Sequence, residues 1–307
     1  MPLNMGGHCP PQILTPDFWP AREPEYRTLL GRLCPGEHEV IGHSAGGRDI
    51  WGLHLKLNPG APTVAVVGGM HGHEAQGPAS CFNLLSALKT GRDLKGKQWP
   101  GIERVNWAIV FVLNPDARVR MPNAFVGLSV EDVRNYDSGL MADGQRKSVR
   151  GDVDPGETLI LGGLYNDAGV DIIQHGELDD RISPEREAAL NFMARVRPQV
   201  CLELHAHCAP PLFYCPLTPT PPEVQTTQIA WTETIISGGR AAGMEFSDNT
   251  GEVNGLSTAL YHTVSGAVPL LFESPQGALD AGPRWNHAQI IDVNLFVMAQ
   301  LAELVQS

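Results

Sequence analysis

The chain predicts a single α/β domain in which a central β-sheet is flanked by helices, and three observations carry that expectation. Four apolar runs, at 62–67, 105–113, 199–205 and 268–273, are too short for stand-alone helices and read as buried strands. Helical patterns separate or follow them, notably Ala79–Lys89 and Ile229–Ala242, with a closing helix over Trp285–Val305. The chain's 307 residues, 42% of them hydrophobic, can bury one sizeable core, which suits one domain when strands and helices alternate. No linker or repeat interrupts 1–307. The Gly- and Asp-rich stretch at 138–180 has little periodicity and reads as a loop-rich excursion of the kind that shapes specificity.

Composition narrows the function classes. The 22 basic and 34 acidic residues give a formal charge of -12 and leave no basic stripe, which argues against nucleic acid as a partner. No apolar run is long enough to span a bilayer, so no membrane partner is expected. The first residues, MPLNMGGHCPP, lack a charged and an apolar region of the secretory type, and a cytoplasmic location is the expectation. Six Cys without paired spacing fit free thiols. Cys201, Cys208 and Cys215 surround His205 in sequence and read as small core residues rather than metal or redox groups.

Chemistry concentrates at the ends of the strand-like runs. After Thr63–Val67, Gly68 and Gly69 permit a tight turn, and His71 and Glu74 follow three residues apart. That pair suits a catalytic zinc that takes a third protein ligand elsewhere and keeps one position for water, although such a spacing also arises by chance. Pro198–His207, PQVCLELHAH, is a second apolar run ending in His205; His207 shares its face of an extended strand and competes with it. Ahead of it, SPEREAALNFMARVRP reads as a helix capped by Ser183, with Pro184 in the first turn. Val268–Pro275, VPLLFESP, carries Glu273 out of a third run, where it either serves chemistry or simply faces water.

Glu39–Leu57, EVIGHSAGGRDIWGLHLKL, followed by GGMHGHE, resembles the entry to the zinc carboxypeptidase family, the carboxypeptidase A-like metallopeptidases. The resemblance implies a central mixed, largely parallel β-sheet and one Zn2+ per chain held by His71, Glu74 and His205. It also implies Glu273 as general base. The NPDA segment that ends in Arg118 and Arg120 resembles the family's NPDG region, which implies Arg120 as the group that polarises the scissile carbonyl and Arg118 as a substrate contact. Val133–Tyr136 resembles the family's Asn-Arg segment, making Arg134 and Asn135 the expected clamp on a terminal carboxylate, for which a planar guanidinium is well shaped. In a rival alignment through Asn166–His175 the clamp positions fall on Ile173 and Gln174, and the clamp is absent. Glu131 or Asp132 is the expected carboxylate that orients the first metal-binding His. Tyr261 is the candidate for the family's mobile Tyr, with His262 beside it and Thr258 a possible pocket residue.

These residues make amide hydrolysis by metal-activated water the expected reaction. The substrate is then a peptide trimmed at its C-terminus, peptidoglycan-derived peptides included. The alternative is an N-acyl amino acid cleaved by a deacylase of the succinylglutamate desuccinylase and aspartoacylase type. A binding protein without activity ranks last, because all four chemistry-bearing residues are present.

Overall fold

Parallel strands whose side chains are apolar on both faces form the centre of the structure, a computed structural model that describes residues 11–147, 151–173, 182–207, 210–254, 256–280 and 284–307. The helices are α1 Glu23–Leu33, α2 Gln76–Thr90, α3 Pro115–Arg120, α4 Val130–Asp137, α5 Pro184–Val196, α6 Pro222–Ala241, α7 Leu256–Ser265 and α8 His287–Leu304. The strands are β1 Glu39–His43, β2 Asp49–Leu55, β3 Thr63–Val67, β4 Asn106–Val110, β5 Leu140–Met141, β6 Thr158–Ile160, β7 Val200–His207, β8 Leu212–Tyr214, β9 Leu217–Thr218, β10 Val253–Asn254 and β11 Val268–Pro275. Seven of them form one mixed sheet in the order β1-β2-β4-β3-β7-β11-β8. The four central strands, β4, β3, β7 and β11, run parallel, and antiparallel partners close both edges.

Strand alternation divides the core in two. Val64, Val66, Leu202 and Leu204 point to a layer formed with α1, α2, α6 and α8. Ala65, Val67 and Cys201 point to the opposite layer, formed with α5 and α7. Burial on both faces is why β3 reads as an unbroken apolar run rather than an alternating one.

The four expected strands are all present, with adjusted ends. The run at 105–113 stops pairing as β4 at Val110, and beyond it Leu113 and Asn114 donate to the carbonyls of Gly68 and Gly69. The expected helix Ala79–Lys89 begins earlier, at Gln76, and Ile229–Ala242 is the second half of a helix that starts at Pro222, where Pro221 and Pro222 fix the first turn. In the excursion, β5 pairs with β6, and Tyr165 bridges Asp171. Among the described residues no helix is long and apolar enough to cross a membrane.

Candidate metal centre

The carboxyl ends of β3, β7 and β11, three neighbours in the sheet, bring the chemistry together, as expected for the crevice outside the strand ends of an open α/β sheet. Leaving β3, the chain turns at Gly69, whose φ of 64° favours glycine. Gly72 is required by proximity: a Cβ there would lie 2.2 Å from that of Ala117 and 2.5 Å from the Arg118 nitrogen. This close approach to α3 fixes the segment from His71 to Glu74. At the end of β7, His205 projects to the α5 and α7 side of the sheet, the side of Cys201 and Glu203.

His71, Glu74 and His205 are buried, and their donor atoms all lie within 4.8 Å of one another. The Nδ1 atom of His71 is 2.8 Å from Glu74 Oε1, and the Nδ1 atom of His205 is 3.4 Å from Glu74 Oε2. The two Nδ1 atoms face each other at 3.3 Å. Burial opposes charge on Glu74, yet His71 and His205 hold its carboxyl well below the usual range. Burial likewise opposes the His205 imidazolium, but Glu74 and Glu203 on either side push it up to about 10. Two imidazoles and a carboxylate are the donor set of a catalytic zinc site, and the residues fit that ion.

Beside the cluster, β11 is in register with β7 so that Glu273 is the direct partner of His205. Side chains at paired positions of neighbouring strands lie on one face, so Glu273 shares the face of the sheet that carries His205. His207 turns away, its Nε2 lying 3.1 Å from the Pro210 carbonyl, and takes no part in the cluster.

The ring edge of His205 that faces away from the cluster meets a group that the sequence reading passed over. Its Nε2 is 3.4 Å from Glu203 Oε2. Glu203 is fully buried and is held by Arg186 Nη1 at 3.1 Å, by the Tyr261 hydroxyl at 3.0 Å and by Thr258. Burial works against that carboxylate, but Arg186 and His205 draw it down to about 2. A carboxylate behind a metal-binding imidazole fixes its tautomer and orientation, and losing such a partner typically costs 10–100-fold in metal affinity. The legible signal was a charge inside an apolar run, two residues before His205. Glu203→Gln is expected to weaken zinc binding by about 10–100-fold, read by competition with a chelating dye. The same variant breaks a buried ion pair and is expected to lose about 3 kcal/mol of stability in urea unfolding.

This network corrects several expectations. Tyr261 is not a mobile substrate contact: it is fully buried, with its hydroxyl between Arg186 and Glu203. Thr258 is bound into the same network, and His262 meets the Ala267 carbonyl. Arg120, expected as the polarising group, has its guanidinium on Asp167, the Asp116 carbonyl and the Tyr165 carbonyl, holding the excursion on α3. Arg118 is buried away from the cluster, with Nη2 on the carbonyls of Met121 and Pro122. Glu131 pairs with Arg146, and Asp132 caps α4 through Ser129, so neither orients His71.

Arg134 and Asn135 sit on α4, Arg134 exposed and Asn135 half-buried. Asp137, at the end of that helix, reaches within 3.4 Å of Nε2 of His73, the neighbour of Glu74. Ile173 packs, half-buried, against the α5 and α7 layer, whereas Gln174, His175 and Cys208 lie outside the described residues. Cys201 and Cys215 are core residues.

The family model for zinc carboxypeptidase matches residues 31–122, which span the β1–β2 hairpin, the His71 and Glu74 segment, and α3. No curated protein sequence matches the chain. Among solved structures, the chain is similar to a metallo-carboxypeptidase from Burkholderia cenocepacia, at 15% identity and a TM-score of 0.64, with 94% of this chain and 70% of that one covered. It is also similar to a metallo-carboxypeptidase from Pseudomonas aeruginosa, solved in complex with (2-guanidinoethylmercapto)succinic acid, at 17% identity, TM-score 0.63 and coverage of 94% and 70%. Bovine thrombin-activatable fibrinolysis inhibitor, solved with tick carboxypeptidase inhibitor, matches at 13% identity, TM-score 0.60 and coverage of 94% and 98%. At these identities the likeness is one of fold. The resemblance read from the sequence holds as a family match over residues 31–122 and as a shared fold over most of the chain.

Proposed function

We propose that this chain, zinc carboxypeptidase-like in residues 31–122 and in its fold, is a zinc-dependent metallocarboxypeptidase that removes a C-terminal residue from peptides. The observation that carries the reading is the convergence of two imidazoles and a carboxylate within 4.8 Å, with Glu273 in register beside them. One zinc ion per chain, held by His71, Glu74 and His205, would supply Lewis-acid activation of water at neutral pH.

The remaining steps belong to the protein. Glu273 accepts the proton of the attacking water and returns it to the leaving amine, the two halves of general acid–base catalysis. Glu203, backed by Arg186, keeps the His205 ring oriented so that Nδ1 faces the site. Arg134, exposed on α4 about one helical turn before Asp137, which meets His73, is the proposed group that receives the substrate's terminal carboxylate. The described cysteines Cys34, Cys81, Cys201 and Cys215 are free and buried, which supports a reducing, cytoplasmic setting.

Ile173 favours the second reading. It packs on the core layer of α5 and α7 at the position where the rival alignment expects the Asn of the clamp, and in that alignment the clamp is absent and the requirement for a free peptide terminus is lost, which leaves a deacylase of N-acyl amino acids as the alternative. A panel of free-terminus peptides, their amidated twins and N-acyl amino acids separates the two. Cleavage confined to free-terminus peptides is expected, with amidation lowering kcat/KM at least a hundredfold, the scale on which sites reject a substrate lacking a required polar group. Cleavage of the acyl amino acids alone would move the protein to the deacylases.

A further inference from the structure

We propose that a cavity between α1, the β1–β2 turn and α3 binds a small monocarboxylate with an apolar body, at a site separate from the metal centre. The cavity has a volume of about 360 Å³, and its walls include Arg118, Tyr26, Arg27, Trp51, Val112 and Val119. None of its lining residues is a metal donor or Glu273. Trp51 and Val112 belong to the core layer of α1, α2, α6 and α8, whereas His205 projects to the opposite side of the sheet.

The reason to expect a ligand is a buried charge with nothing to meet it. Arg118 is 3% exposed, and only its Nη2 is used, on two backbone carbonyls. Its Nε and Nη1 have no acceptor among the described residues, and neither does the hydroxyl of Tyr26, which is 2% exposed. Burial lowers the Arg118 pKa to about 10, which still leaves it charged at neutral pH. Buried donors are nearly always paired, so three orphaned donors around one cavity point to an acceptor that enters from outside.

Charge and shape set the class of that acceptor. Arg27 is paired with Glu23, Arg48 with Asp116 and Asp167, and the half-buried Arg22 is hydrogen-bonded to the neutral amide of Gln12. Arg118 is the buried cation of the wall whose free N–H groups have no acceptor among the described residues, which matches a single carboxylate. A carboxylate can accept from a free N–H of Arg118 with one oxygen and from the Tyr26 hydroxyl with the other. The same cavity is lined by Trp51, over whose ring the Arg27 guanidinium lies at 4.9 Å, and by Val112, Pro115 and Val119. A volume of this size lies within the range of small-molecule sites and is large enough for an aromatic or branched acid.

Benzoate is a suitable probe, titrated by calorimetry into the full chain alongside benzyl alcohol and inorganic phosphate. His205→Ala, which removes a metal donor, serves as the background so that binding at the metal centre does not contribute. Saturable benzoate binding is expected there, weakened at least tenfold by adding Tyr26→Phe or Arg118→Met, with benzyl alcohol and phosphate binding at least tenfold more weakly than benzoate. Tyr26→Phe alone decides the matter if Arg118→Met does not fold. Absence of saturable benzoate binding, equal affinity with and without the Tyr26 hydroxyl, or phosphate binding as tightly as benzoate would overturn the assignment.

Discussion

Glu273→Gln is expected to keep its zinc and to lose roughly 10²–10⁴-fold in kcat, the usual worth of a positioned proton-transfer group. The amide has nearly the volume of the carboxyl, so β11 keeps its register with β7 and the partnership of position 273 with His205 is preserved. Glu273 is not among the three converging donors, so removing its charge leaves the metal's ligands in place. What the variant cannot do is accept a proton from water. Metal content and steady-state rates measured on one preparation give both halves of the result, and a Glu273→Gln protein with undiminished kcat would remove Glu273 from the mechanism.

His205→Ala is expected to lose both zinc and hydrolysis. His205 is the only donor contributed by β7, and its Nδ1 is the atom that faces both His71 and Glu74. Two donors from one short loop, His71 and Glu74, do not complete a catalytic zinc site. The variant also removes a neighbour of Glu203, whose carboxylate stays held by Arg186, Tyr261 and Thr258. The fold is therefore expected to survive, which far-ultraviolet circular dichroism checks. Retention of one tightly bound zinc by a folded His205→Ala protein would show that the ion is held elsewhere.

The metal donors were readable in the sequence because they depend on local geometry. A short apolar run must be a strand, a Gly-Gly pair must turn it, and residues just beyond its end stand at the sheet's carboxyl edge. That rule brings His71, Glu74, His205 and Glu273 to one edge of the sheet, whereas the choice of His205 over His207 and of Glu273 as general base rested on the family resemblance. The arginines did not, because a guanidinium takes its role from acceptors distant in sequence. Arg120 reads as a catalytic group after NPDA, yet its partner Asp167 lies 47 residues away, in a segment without periodicity. Arg118 reads as a substrate contact, but its backbone packs under Gly72 while its side chain runs into a separate cavity.

Glu203 and Tyr261 show the same limit from the other side. The 58-residue separation between them hides a hydrogen bond that binds α7 to β7 and commits the Tyr261 hydroxyl to Glu203. The resemblance made Tyr261 the candidate mobile Tyr although ordinary packing is the commoner role beside such glycines, and the buried Arg186 and Glu203 pair reveals that its hydroxyl is committed. Helix starts were also blurred: Ala79–Lys89 lacks the first turn of α2 because Gln76–Pro78 carries no apolar period. Buried on every side, that turn is stabilised by packing rather than by its own pattern.

Bound zinc and peptide turnover, measured side by side in the unmodified protein, Glu273→Gln and His205→Ala, test the proposed metal centre most directly. The account predicts one zinc per chain in the first two, almost none in the third, full turnover in the unmodified protein, turnover lowered roughly 10²–10⁴-fold in Glu273→Gln and none in His205→Ala. Full zinc content in His205→Ala, or turnover that persists after chelation has stripped the metal, would contradict it.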